Sequence, residues 1–540
     1  GFSTLLPALL FLAGGEIVRC IGRCRKAQAK LRAALGMLLA IGVWMVAFAD
    51  WQWEKTLPLT ASWVLGSSGE AYLYAYYAQP PQQQPHQQVL CINSDGSERW
   101  RIAGLYQDSS PPRFFLAPSV SGFLNTFGLV APAIAVDSVN NEVHVLVGAY
   151  PPAFSGAEQL PPTEIVYARI RAGELVSLRT IAPTLQYLFA YGIYQSNDNI
   201  YLLYTGYPVT YQRGFVSECQ TSSVGDWFGG IICNTMIPNR KKWQGQFIGR
   251  SLKLLNRYDS VAHDQIPHCL PPMGAADVDQ AGNVLMVFYP VQGLLYPYTS
   301  YSTDFDKRDR VIIYVNNAGE VVWSRKITAL GEQRSPQILA PPYRVWARLG
   351  ANYGFMAEMI DYQDAPTAVI YCFSKSNGAL ILSEKWSAKD LIGIVQSGDR
   401  CYVGLVRATC QSCAESLCTE VWEVSPTTGI RRIACHPGRG LAIAFGNRYI
   451  GVLLQQSCSS QQGIKIQLWD TSGVPYWSAI KCLGTSGFPI GGELQLRWTT
   501  VVGNRRRLDV GARVMYFVNV ANHDQGSVLA KGQWEFVGDE

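Results

Sequence analysis

Five metal-competent side chains fall close together in the second half of the chain: Cys410 and Cys413 in a Cys-x-x-Cys pair, then Cys418, Cys435 and His436. Thiolates and imidazoles are what zinc takes, so the pair is half of a tetrahedral site. No second pair at ligand spacing follows, and Cys413 is succeeded by Ala414, not by the His of a haem attachment. Disulfides are the simpler reading of Cys410, Cys413, Cys418 and Cys435. His263, Asp264, His268 and Cys269 form another group that could ligate, and a polar linker between strands accounts for them more simply. Glu358, Asp361 and Asp364 could supply paired carboxylates for glycoside chemistry, a pairing that only three dimensions establish. The chain has no P-loop, no Gly-x-Ser-x-Gly and no His-Glu-x-x-His. From sequence, no catalytic residue, metal or cofactor is assigned.

Binding chemistry is better represented. The stretch Gly206–Gly249 carries Cys219, Trp227, Cys233 and Trp243 beside Arg240-Lys241-Lys242. A bridge between Cys219 and Cys233 would close a small loop. Trp227 and Trp243 would either offer flat apolar faces to a sugar or peptide or form the loop's own small core. Tyr296, Tyr298 and Tyr301 follow in a second loop, and tyrosine combines apolar area with a polar tip.

Something must hold these loops, and the repeats say what. The spelling Asn/Asp-x-x-Gly-x-x-x-Trp occurs at Asn93–Trp100, Asn316–Trp323 and Asp470–Trp477, placing Gly96, Gly319 and Gly473 in tight turns and Trp100, Trp323 and Trp477 on the strands that follow. Gly supplies the positive φ of such turns. A second hairpin signal, an apolar run on either side of a polar turn, recurs at Ile134–Leu146, Gly192–Tyr204, Ala276–Val287, Ile394–Val406 and Ala442–Leu454. Taken alternately, the two signals predict about eight four-stranded units, roughly 62–103, 131–181, 190–257, 274–327, 345–387, 392–434, 441–480 and 497–536. The expected fold is therefore all-β, a single β-propeller of about eight blades, with seven the alternative count. The glycine-tryptophan hairpins resemble the repeats of quinoprotein-like (PQQ-like) propellers, and the resemblance extends over nearly all of the chain beyond residue 50. A quinone-dependent activity would call for an adjacent Cys-Cys pair, which the chain lacks.

Residues 1–49 read as a leader: a basic segment Arg19–Arg32, an apolar run Ala33–Val46, and Ala47-Phe48-Ala49 as a small-residue cleavage signature. A retained membrane anchor is the alternative. The leader holds six of the 45 basic residues and one of the 40 acidic ones, so 39 of each remain and the mature chain is neutral. That removes any electrostatic case for nucleic acid. Twelve of the 14 cysteines lie beyond the leader, an even number that suits disulfides in an oxidising compartment.

The two hairpin signals are the first and third turns of each unit. Insertions should then gather in the second connections, at Gln79–Gln88, Tyr150–Pro162, Gly206–Gly249, Pro290–Arg308, Arg407–Glu420 and Gln455–Gln462. One elaborate face and one plain face are expected. The functional expectation is a secreted or cell-surface scaffold that binds protein or glycan partners, or further copies of itself, through the elaborate face. An extracytoplasmic polysaccharide-acting or oxidising enzyme with its site in the central funnel is the alternative. The last strands, Val528–Phe536, should pair with a strand near Trp63 or Trp51 to close the ring.

Overall fold

A computed structural model describes residues 50–57, 61–76, 87–103, 115–116, 134–137, 141–149, 164–181, 185–196, 199–208, 227–235, 244–252, 273–289, 309–317, 321–328, 344–362, 365–408, 417–459, 461–485, 487–501, 505–519 and 524–537. Among them every regular element is a β-strand.

The chain divides into two compact units. In the smaller (Gly1–Asp50, Thr499–Leu508 and Gln533–Glu540), the described residues are strand ends, with Arg505 Nη1 3.9 Å from Glu535 Oε2. The larger unit, Trp51–Trp498 and Asp509–Gly532, contains the sheet cores and the candidate site.

The strands form eight antiparallel sheets, seven of them four-stranded. After β1 (Asp50–Leu57), the first sheet holds β2 (Ala61–Leu65), β3 (Ala71–Tyr76), β4 (Gln87–Ile92) and β5 (Glu98–Ala103). The second holds β6 (Phe115–Leu116), β7 (Ile134–Asp137), β8 (Glu142–Ala149), β9 (Glu164–Arg171) and β10 (Glu174–Ile181), with β6 and β7 both paired to β8. The third is β11 (Leu185–Ser196), β12 (Asn199–Pro208), β13 (Trp227–Thr235) and β14 (Gln244–Leu252). The fourth is β15 (Met273–Val278), β16 (Val284–Tyr289), β17 (Asp309–Val315) and β18 (Val321–Thr328). The fifth is β19 (Arg344–Leu349), β20 (Tyr353–Tyr362), β21 (Ala365–Ser374) and β22 (Leu380–Ser387). The sixth is β23 (Asp390–Ser397), β24 (Arg400–Arg407), β25 (Cys418–Ser425) and β26 (Gly429–Pro437). The seventh is β27 (Gly440–Gly446), β28 (Tyr449–Cys458), β29 (Gln461–Asp470) and β30 (Pro475–Cys482). The closing sheet joins β31 (Phe488–Val501), β32 (Arg505–Asn519) and β33 (Asp524–Val537) to β1 in the order β31-β32-β33-β1. Each expected unit falls on one sheet, but the second sheet also takes in β6, and the closing one begins at Phe488 and adds β1. The partner of the last strand is the segment around Trp51, not the one around Trp63.

Successive sheets pack face to face. Tyr72, Tyr74 and Val89 of the first meet Val143, Val145 and Ile170 of the second; Trp53 and Leu529 of the closing sheet meet Leu65 and Leu73 of the first. The fourth and fifth, fifth and sixth, and sixth and seventh sheets share cores in the same way. A sheet covered on both faces needs middle strands that are apolar on both, and β21 is buried from Thr367 to Phe373. The outer strand β22 is mostly exposed, with Trp386 turned in.

The repeated glycine and tryptophan dock sheet to sheet. Gly378, at φ 69°, closes the turn before β22, and a Cβ there would stand 2.5 Å from Cδ2 of Trp323, on β18 of the preceding sheet. The Trp323 indole donates to the Lys375 carbonyl in the same turn at 2.7 Å. Gly173 stands likewise against Trp100, at 2.8 Å, and Gly96 against Trp53, at 2.7 Å. Gly473 abuts the Ile433 carbonyl on β26. In each case the glycine is required twice, by its positive φ and by the preceding sheet's outer strand.

Candidate functional site

Antiparallel alternation decides which segments share an end of the sheets. First and third turns emerge at one end; second connections and sheet-to-sheet linkers emerge where the first strands begin. The first-strand turns are short, as at 66–70, 279–283 and 398–399, while second connections run 77–86, 150–163, 209–226, 290–308 and 408–417. Two linkers, 253–272 and 329–343, are also long, and 117–133 separates β6 from β7 within the second sheet, so the insertions are not confined to second connections as expected. They nevertheless emerge at the same end. Gln455–Gln462 is a further correction: it is the tight junction of β28 and β29, with only 459–460 between them. Of Arg407–Glu420, Cys418 and Glu420 belong to β25.

At the end where the first strands begin, three charged side chains converge from successive sheets. Arg344 opens β19, Asp390 opens β23, and Arg439 immediately precedes β27. Arg344 Nη1 lies 3.3 Å from Asp390 Oδ1 and donates to the Leu391 carbonyl at 3.2 Å. Its Nη2 reaches the Ile490 carbonyl of β31 at 3.5 Å, and Arg439 Nη1 donates to the Pro489 carbonyl at 3.2 Å. Arg344 thus spans from the fifth sheet to the closing one. Arg344 is buried, and Asp390 and Arg439 are half-buried. Burial pushes the Asp390 carboxyl above its ordinary range, opposed by Arg344 and Arg439. Burial, aided by Arg344 and opposed by Asp390, pulls Arg439 below its own. Guanidinium groups stay charged at any working pH, so both arginines bring a cation to this end of the sheets.

A different polar set lies toward the other end of the first strands. Asp277 Oδ2 accepts from Leu349 N of the next sheet at 2.7 Å, and Tyr194 of the third sheet donates to the Ala276 carbonyl at 2.9 Å. Burial raises the Asp277 carboxyl, with Arg348 opposing. Between the closing sheet and the first, Gln495 of β31 does for the first sheet what Asp277 does for the fifth, accepting from Leu65 N at 3.0 Å and donating to the Trp63 carbonyl at 2.8 Å.

The cysteine cluster comes together only in part. Cys418, Glu420 and Cys435 bring their two sulfurs and a carboxylate oxygen within 4.8 Å of one another. The Glu420 carboxylate is already held by Arg407 at 3.2 Å, Arg432 at 3.0 Å and the Trp422 indole at 2.9 Å. A carboxylate neutralised by two guanidinium groups is a poor ligand for a dication. His436 pairs with Thr419 on the other face of the hairpin and sits 2.9 Å from Lys465 Nζ, so it does not join the group. Among the described residues Cys458 and Cys482 form a disulfide, while Cys91, Cys372 and Cys401 are buried thiols inside sheet cores. Burial pushes the Cys91 thiol up to about 11 and Cys372 up to about 12, which keeps them protonated and inert.

Trp227 and Cys233 are not in a loop. Trp227 opens β13 and Cys233 lies within it, opposite Tyr201 and Gln246, because Trp227-Phe-Gly-Gly-Ile-Ile-Cys is a continuous run that suits a covered strand. Trp243, Tyr296, Tyr298, Tyr301, Cys219, Cys410, Cys413 and Gly319 lie outside the described residues, as do Asp364 and the His263–Cys269 group. Glu358 is sealed inside the fifth sheet, accepting from Tyr371 Oη at 3.2 Å, and is no partner for a substrate. Arg344, Asp390 and Arg439 escape a motif search, although one signal marks them. Each is a charged residue at the head of an apolar first strand, in consecutive units.

No protein-family model matches this chain, and no curated protein sequence does. Solved structures do show similarity. The structure of the Dos1 propeller aligns with TM-score 0.45 at 8% identity, over 89% of this chain and 96% of that one. A polysaccharide lyase of a new family, PL25 ulvan lyase, aligns with TM-score 0.34 at 9% identity, over 74% and 90%. The Pyrococcus horikoshii acylaminoacyl peptidase aligns with TM-score 0.34 at 9% identity over 69% of this chain, which spans only 49% of that one. Likenesses this distant say nothing of activity.

Proposed function

We propose that the eight sheets are the blades of one closed propeller built from quinoprotein-like repeats. The protein would act outside the cytoplasm as a binding or assembly scaffold, meeting a protein or glycan partner on the face where its first strands begin. The convergence of Arg344, Asp390 and Arg439 at the end that carries the long connections is the observation that supports this most. The Cys458–Cys482 bridge fits export. The test is binding of the exported protein to a glycan and peptide panel, with Trp243→Ala and Tyr298→Ala variants alongside. Loss of a wild-type signal in either supports the reading, and identical profiles for all three proteins oppose it. N-terminal sequencing decides between export with cleavage, which predicts a start at Asp50, and a retained anchor.

The polysaccharide-acting alternative draws on one observation, the raised carboxyl of Asp277 beside Tyr194 and Arg348. A carboxyl raised by burial shifts in the direction that a general acid for glycosidic-bond cleavage requires. Release of reducing ends from an acidic polysaccharide, abolished by Asp277→Asn, would establish it.

A further inference from the structure

We propose that Cys418 and Cys435 form a two-thiolate site for a soft monovalent cation, copper(I). The inference goes beyond the scaffold reading and needs no partner from it.

Register puts the ligands on one face. Cys418 opens β25 opposite Pro437, and Glu420, two residues on, lies opposite Cys435 of β26. Residues two apart on a strand share a face, so the two sulfurs and the Glu420 carboxylate gather within 4.8 Å of one another. Both cysteines are thiols. They are diagonal partners, and diagonal neighbours stand about 7–8 Å apart. A disulfide usually joins Cα atoms about 4.4–6.8 Å apart, so the register disfavours a direct bridge. A metal between the sulfurs suits it better. Each metal–thiolate bond is about 2.3 Å long, and two in line span about 4.6 Å.

The carboxylate decides which metal. Structural zinc takes four ligands. Glu420 is committed to Arg407, Arg432 and the Trp422 indole, and His436 lies on the other face, which leaves two sulfurs among the described residues. Copper(I) is soft, accepts two-coordinate geometry and is selected by thiolates. Binding exchanges two S–H protons for one ion, so two protons leave and the complex carries one negative charge. The guanidinium groups held on Glu420 leave that carboxylate no uncompensated charge to oppose the thiolates. Cys418 is buried and Cys435 half-buried, so the ion enters past Cys435, at the end of the sheet where the connection 408–417 emerges.

The test is a copper(I) titration of the full chain against bicinchoninate. Copper(I) is generated with ascorbate, which leaves Cys458–Cys482 oxidised. Wild type should take one ion per chain, with a thiolate-to-copper charge-transfer band in the near ultraviolet and an affinity that rises with pH. Losing one of only two ligands in Cys435→Ser should remove the band and lower affinity by at least about a hundredfold, more than loss of an outer contact does. The combined Cys410→Ser and Cys413→Ser variant should bind as wild type does, and zinc should not compete. A wild type that takes no copper, equal affinity in Cys435→Ser, or binding lost in the Cys410 and Cys413 variant would each overturn the site. So would a Cys418–Cys435 cross-linked peptide in a non-reducing digest, or zinc binding of equal strength.

Discussion

Trp323 and Gly378 meet across the boundary between the fourth and fifth sheets so closely that no Cβ fits between them, the ideal position lying 2.5 Å from the indole. Gly429 occupies the corresponding turn of the sixth sheet at φ 80°, yet nothing stands within 4 Å of its would-be Cβ. The two positions separate backbone strain from docking. Gly429→Ala should cost about 1 kcal/mol, the left-handed penalty alone. Gly378→Ala adds overpacking of about 1–3 kcal/mol. Urea denaturation of both variants checks this, and equal losses would show that the tryptophan does not constrain the turn.

The sheet that joins β1 to the last three strands has its own internal lock. Lys531 of β33 lies fully buried 3.3 Å from Asp509 Oδ1 of β32 and donates to Gln52 of β1, while Gly69 at φ 85° lets the first sheet's turn approach both charges. Lys531→Met should destabilise by about 3–5 kcal/mol, because it strands a buried carboxylate. Lys531→Met combined with Asp509→Leu should recover most of that loss. A single variant with a wild-type melting temperature would mean that the pair is dispensable. Deleting 528–540, which removes the buried Val528, Leu529 and Ala530, should cost still more.

The second sheet contains a histidine that resists protonation. His144 is buried, its Nδ1 2.8 Å from Tyr167 Oη, and burial pushes its pKa down to about 4 against the opposing pull of Glu142. A depressed folded-state pKa gives stability that is complete above the ordinary value of 6.5 and is lost as pH falls toward about 4. The loss approaches about 3 kcal/mol at about 1.4 kcal/mol per pKa unit. Glu142 responds in a lower window. Burial raises its carboxyl, but Arg169 and Arg171 outweigh that and hold it below its ordinary range. Stability measured from pH 7 to pH 4.5 should therefore decline in wild type and stay flatter in His144→Gln. Parallel profiles would remove His144 from the account.

Reduction of Cys458–Cys482 should lower stability by about 3 kcal/mol, the loop-closure entropy expected for a bridge across 24 residues. Gly463 lies beneath the bridge, where a Cβ would stand 2.6 Å from Cys458 Sγ, so Gly463→Ala should weaken the protein in its oxidised form. Melting temperatures with and without reductant, in wild type and Cys482→Ser, test the first point. A reductant-insensitive wild type would contradict it.

The repeats were legible because each hairpin carries local instructions: a glycine at positive φ, a β-branched strand, and a tryptophan one turn later. Positions that depend on neighbours were not. β13 and β14 hide inside Gly206–Gly249 because Trp227-Phe-Gly-Gly-Ile-Ile-Cys lacks the turn spelling of the other units, so the segment reads as an insertion. The Cys458–Cys482 pairing spans two hairpins, and spacing alone does not select it from twelve cysteines. Arg344, Asp390 and Arg439 belong to three units and meet only when consecutive first strands come side by side. Among the binding candidates, Trp227 was assigned to a loop by composition and proves to start a strand. Alternation, which needs only the strand count, assigns the second connections and the linkers to one end of the sheets.

The division of labour between the two ends of the sheets is the central claim, and a bulky glycan tests it directly. An N-glycosylation site can be introduced in the connection between β3 and β4 by Gln82→Asn with Gln84→Thr. Another can be created in the turn between β21 and β22 by Ala379→Thr, which places the glycan on Asn377. Binding of each glycosylated protein to the partner identified on the panel is then compared with wild type. The account predicts that the glycan at 82 abolishes binding and the one at 377 leaves it intact. Binding lost with the glycan at 377 and kept with the one at 82 would contradict it.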